Sequence, residues 1–213
     1  MTTSTPGLSL PDLLSSPLRQ AAVDHVLAAE ERSVAHHSLR SYLFATKAAD
    51  LRGLRSGVDY DDDTLFYATV LHDLGLSDEG EARPDRFEVA GADLAAEFLT
   101  GHGIAAEVVD TVWDAIALHT SPGITTRRGV VCDLTHVGTG LDFGHNADDI
   151  TDEEAAVIND AFPRLDINTS IGRQIVEQAE RNRGKAPHLS AADYFHHAIH
   201  GFDMGFVSRW GAA

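Results

Sequence analysis

His72 and Asp73 stand side by side at the end of the apolar run Ala68-Thr69-Val70-Leu71, and Gly75 follows closely. An imidazole and a carboxylate together can bind a divalent metal. A charged pair after Val70 and Leu71 is costly to bury without a partner, and a cation is one such partner. The dipeptide alone says little, because about one His-Asp pair arises by chance in a chain with 12 His and 22 Asp. The competing reading is an ordinary helix end with a hydrogen-bonded His72. Gly is the usual residue just past a helix C-terminus, which places the pair at the inner end of a core helix. Other residues add to the chemistry. His37, Ser41 and Phe44 fall on one face of an earlier helix, with Arg40 beside them. His119 ends a later helix and is followed by Thr120 and Ser121. Histidine titrates near neutral pH, so His119 can move a proton, or it can simply interact with the helix dipole.

The elements that position these groups read as helices. Pro11 can open a first helix carrying Leu13, Leu14, Leu18, Ala21, Ala22, Val26 and Leu27. A second runs from Ser33 to Leu51. Asp62 or Asp63 caps the helix that leads to His72. Ser77 to Pro84 reads as a polar loop. Asp85-Arg86-Phe87-Glu88 has the form of a capping box opening a helix to Leu99, which makes Glu88 a cap rather than a base. Further helices span Ala105 to His119, stopped by Pro122-Gly123, and Val130 to Gly140. Three more span Asp152 to Phe162 behind Thr151, Ser170 to Arg183, and Ser190 to His200. No repeat and no alternating strand pattern is present. The expectation is an all-α helical bundle in one domain over residues 11–213, after a flexible tail at residues 1–10.

Composition narrows the function. The chain has 213 residues, a hydrophobic content of 43% and a net charge of −17. That length supports a sizeable core. The acidity disfavours nucleic acid and anionic lipid as partners, leaving a small-molecule substrate, with a homo-oligomer left open. One cysteine, Cys132, excludes a disulfide framework and a Cys-rich zinc site. With no signal peptide and no long apolar span in view, the expected compartment is the cytoplasm.

Taken in order, His37, His72-Asp73 and Asp142 resemble the pattern of the HD-domain superfamily of metal-dependent hydrolases. The resemblance is closest to its cyanamide hydratase-like branch. It runs through His37-Ser38-Leu39-Arg40, Leu71-His72-Asp73-Leu74-Gly75, Arg86-Phe87-Glu88-Val89-Ala90-Gly91-Ala92, Trp113 to Ser121, Leu141-Asp142-Phe143-Gly144 and Ala161-Phe162-Pro163-Arg164. It implies that His37, His72, Asp73 and Asp142 are metal ligands, with Asp142 preferred over Asp133 as the distal carboxylate. It also brings His119, Thr120 and Arg40 to the pocket as candidate catalytic residues. Two imidazoles and two carboxylates suit zinc first, then iron or manganese, better than magnesium. Two-metal phosphodiesterases of the superfamily carry a His where this chain has Phe87, and a Lys where it has Leu76. One divalent transition metal is therefore expected.

The implied reaction is addition of activated water to a nitrile-type bond, as in cyanamide to urea, with His119 helping to protonate the nitrogen. The alternatives are a phosphohydrolase acting on a nucleotide or small phosphate monoester, and a non-catalytic ligand-binding domain. His196 and His200 share a helix face at a metal-binding spacing. No acidic partner adjoins them in the resembling pattern, so they read as part of a structural helix.

Overall fold

The computed structural model describes residues 13–201. The tail expected at residues 1–10, the Pro11 helix start and the region of Trp210 lie outside them. The described chain is all-α. In order, its helices are α1 (Pro17–Ala29), α2 (Arg32–Leu51), α3 (Asp62–Val70), α4 (Asp78–Ala82), α5 (Phe87–Gly101), α6 (Ala106–Leu118), α7 (Val130–Asp142), α8 (Asp152–Ala161), α9 (Ile167–Arg181) and α10 (Ala191–His200). No β-strand occurs among the described residues, only one isolated bridge between Ser56 and Tyr60.

Local chemistry sets most helix ends. Pro17 sits in the first turn of α1, where its missing N–H costs nothing, and the Ser16 side chain accepts from the Arg19 N–H. Thr151 and Glu154 form a reciprocal capping box at α8. Two expectations need correction. The cap of α3 is Asp61, whose carboxylate accepts from both the backbone and the hydroxyl of Thr64. The Asp62 and Asp63 side chains instead take the buried Arg19 guanidinium at 2.6 and 2.7 Å, fastening α1 to α3. The Asp85–Glu88 capping box does not form, because Arg86 bonds the Glu88 carboxylate through its guanidinium. The loop expected over Ser77 to Pro84 contains α4, capped by the Ser77 hydroxyl.

The main core runs from Leu39 and Phe44 on α2 through Leu65 and Phe66 on α3 to Leu99, Ile116 and Leu134, and a smaller apolar cluster joins Leu76 and Phe87 to Ile167 and Ile175 on α9. Two close approaches position the site. A Cβ at Gly138 would lie 2.3 Å from the Ser41 carbonyl oxygen, so glycine lets α7 press against α2. A Cβ at Gly75 would lie 1.9 Å from the Phe87 carbonyl oxygen, so the turn after Asp73 runs directly against the start of α5. From the other side, Gln178 on α9 donates to the Gly75 carbonyl at 3.0 Å. The buried Lys185 ammonium donates to the carbonyls of Gly80, Glu81 and Arg83 at 2.7, 3.2 and 2.9 Å. Those carbonyls belong to the end of α4, where a cation meets the negative end of the helix.

Candidate metal centre

Three helix segments deliver three imidazoles to one place. His37 faces inward from the middle of α2, His72 lies just past α3, and His119 caps the C-terminus of α6. The rings of His37 and His72 are 5.1 Å apart, and those of His72 and His119 are 4.9 Å apart, both edge to face. All three are buried, as is Asp73.

Each ring is fixed by the oxygen that its Nδ1 meets. His72 Nδ1 donates to the Thr69 carbonyl at 2.8 Å, and His119 Nδ1 donates to the Ile116 carbonyl at 2.7 Å. His37 Nδ1 donates to Asp142 Oδ2 at 2.7 Å. A neutral ring with its proton on Nδ1 presents a lone pair at Nε2, the arrangement of a metal ligand held by an outer oxygen. His72 Nε2 then faces Asp73 Oδ2 at 3.1 Å, and His37 Nε2 faces the same oxygen at 3.8 Å. Neither Asp73 oxygen has a hydrogen-bond partner. Two imidazole nitrogens and a carboxylate converging in a buried space are a donor set for a cation. One donor atom from each of His37, His72 and Asp73 lies within 4.8 Å of the others. The donors thus fit a divalent metal.

Asp142, expected as a fourth ligand, sits behind His37 rather than among these donors. Arg40 grips it from Nε and Nη2, both at 2.7 Å, and Arg164 adds Nη1 to Oδ1 at 2.9 Å. With His37 on Oδ2, both oxygens are engaged. Arg40 is wholly buried and spends its remaining donors on the carbonyls of Phe162 and Pro163. It therefore positions Asp142 and, through it, His37, and its described contacts go to Asp142, Phe162 and Pro163 rather than to the metal-facing donors. Arg164 completes this clamp. It had appeared in the sequence only inside a matched segment, and nothing local assigned it a role.

The far side of the centre carries a second clamp. Glu88 is buried, and Oε1 accepts from the Thr120 hydroxyl at 2.7 Å. Arg86 bonds both Glu88 oxygens and also approaches the Thr120 hydroxyl at 3.3 Å. Thr120 is thus oriented by Glu88. His36, one residue before His37 and about 100° away around the helix, turns from the centre and donates to the Pro163 carbonyl at 2.9 Å.

Charge follows from these contacts. Burial works to raise the Asp73 carboxyl, but a proton on His72, held more tightly than usual despite burial because Asp73 faces it, outweighs this together with His37 and His119 and keeps the group well below the usual carboxylate range. A bound cation would take that proton's place. Asp142 is likewise held low against its burial by Arg40 and His37. Burial, aided by the neighbouring His72, pushes His119 down to about 4. At neutral pH His119 therefore carries no charge and presents Nε2 as a proton acceptor. It can act as an acid only after it has taken a proton.

A buried His/Asp centre on an all-α scaffold defines a class of metal-binding helical domain. The HD domain family matches residues 34–195 of the chain, so the protein belongs to that family. No curated protein matches the chain. Membership suggests a metal-dependent, hydrolase-type function, and the His37, His72 and Asp73 cluster is consistent with it. No described helix is long and apolar enough to cross a membrane.

Proposed function

We propose that this protein adds metal-activated water to a small neutral substrate bearing a nitrile-type bond, in the manner of cyanamide hydration. The supporting observation is that the cations near the centre are already committed. Arg40 and Arg164 are spent on Asp142, and Arg86 on Glu88. Further out, Arg83 pairs with Glu97 and Arg128 with Asp114. Where a phosphate-facing Lys and a second-metal His stand in related enzymes by resemblance, Leu76 and Phe87 are buried in an apolar cluster. A phosphate dianion needs charge-assisted donors to leave water, whereas a neutral nitrile needs none.

His37, His72 and Asp73 would hold the metal, with Asp142 fixing the His37 ring. When bound, a divalent metal supplies Lewis acidity and makes water nucleophilic near neutral pH. The chain's own residues do the rest. His119 Nε2 accepts the proton released as water attacks the nitrile carbon, and the imidazolium so formed returns it to the nitrogen. Glu88, close enough to favour that imidazolium, and Thr120 order the polar edge of the pocket.

The test is turnover by fully metallated protein on cyanamide, simple nitriles and nucleotide monophosphates at fixed pH and salt. Faster turnover of the neutral substrates, with only weak inhibition by millimolar phosphate, is expected. Phosphate release from nucleotides without activity on neutral substrates would assign the protein to phosphohydrolysis.

A further inference from the structure

Four of the 12 histidines fall within residues 188–200. His196 and His200 are one turn apart on α10, and their rings stack at 4.5 Å with a tilt of 37°. The acidic partner missing from the local sequence comes from another helix. Glu180, in the last turn of α9, accepts from or faces His200 Nε2 through Oε1 at 2.8 Å. One donor atom from each of Glu180, His196 and His200 lies within 4.8 Å of the others. His196 Nδ1 is shielded from solvent and has no hydrogen-bond partner.

We infer that Glu180, His196 and His200 form a second, peripheral site for a divalent transition metal, which ties α10 to the end of α9. Two imidazole nitrogens and one carboxylate oxygen are the three-ligand set that zinc accepts, with water completing a tetrahedron. Copper and nickel fit the same donors. The site is independent of the buried centre and of the reaction proposed there.

The charged surroundings are mixed. Arg183 lines the same hollow and opposes one, but Asp193 lies there too. Asp193 already meets His197 Nε2 at 3.2 Å and His188 Nδ1 at 3.4 Å. Glu180 and His200 are exposed and His196 is half-buried, so no buried charge has to be created for a metal to bind.

The experiment is equilibrium dialysis of the full chain against Zn²⁺, read by elemental analysis. Wild type should take up one metal equivalent more than His196→Ala/His200→Ala, and His72→Ala should keep that peripheral equivalent. Glu180→Gln should weaken uptake at the same site by at least about tenfold, since it removes a charged ligand. Circular dichroism of the double variant should match wild type, because neither substituted side chain belongs to the buried core. Equal uptake by wild type and the double variant would overturn the site. Loss of the extra equivalent in His188→Ala/His197→Ala but not in His196→Ala/His200→Ala would also overturn it, moving the metal to Asp193.

Discussion

At the buried centre every imidazole has its Nδ1 tied to an oxygen: His37 to Asp142, His72 to the Thr69 carbonyl and His119 to the Ile116 carbonyl. On α10 the arrangement is looser. His200 turns its Nε2 straight to Glu180, and His196 Nδ1 meets no partner. Both clusters combine two imidazoles with one carboxylate, but the outer contacts differ. An imidazole whose far nitrogen is engaged has one tautomer and one orientation, so a metal gains ligands already aimed at it. An imidazole without that contact must be ordered when the metal arrives, which costs side-chain entropy. Chemistry on substrate belongs to the first arrangement, and a reversible surface tie suits the second.

The comparison breaks most sharply at His72. His72→Ala should remove nearly all metal from the buried centre and all measurable turnover, since a ligand and its fixed tautomer go together. Elemental analysis should be done in the His196→Ala/His200→Ala background, so that only the buried centre is counted. About one equivalent before the change and almost none after it is the expected result.

His119→Ala is expected to keep that equivalent and lower turnover by roughly 10²–10⁴, the scale of a positioned acid or base. Loss of metal instead would make His119 a ligand. Asp142→Asn sharpens the outer contact itself. An orienting carboxylate should cost about 10–100-fold in metal affinity when its charge is removed. A loss as complete as that of His72→Ala would make Asp142 a direct ligand.

The smallest effect is on stability. His119 has a pKa of about 4 in the folded protein against 6.5 for the ordinary side chain. Between those values the unfolded chain binds the extra proton, so stability falls as pH drops through that window. The contribution is fully present above it. Denaturant midpoints of metal-free protein should therefore fall less between pH 7 and pH 5 in His119→Gln than in wild type.

What the sequence disclosed divides along similar lines. Features set by neighbouring residues were legible. Thr151 and Glu154 are a complete capping box within four residues, and His36 and His37 could be assigned to different faces by helix geometry alone. His72 and Asp73 stood out as an adjacent pair closing an apolar run, and it was the family resemblance that added His37, which the fold brings beside them. Long-range pairings were not. Glu88 looked like a cap because Arg86, two residues earlier, gives no sign that it will take the carboxylate. Arg40 and Arg164 meet on Asp142 from 102 and 22 residues away, and no local pattern encodes that. Glu180 reaches His200 across a helix–helix contact and was invisible for the same reason.

Lys185 carries a consequence for the order in which the molecule can be assembled. Its bond to Gly80 spans 105 residues, and the bond from Gln178 to Gly75 spans 103. Closing such loops is slow relative to helix formation, and on a ribosome it waits for the later partner to emerge. The turn that carries His72 and Asp73 is made early, yet its last supports arrive only when residues near 185 have been synthesised. A nascent chain stalled before that point should already hold α2 and α3 but exchange amide hydrogens freely around Gly75. Competence to hold metal at the buried centre would then be among the last properties the growing chain acquires.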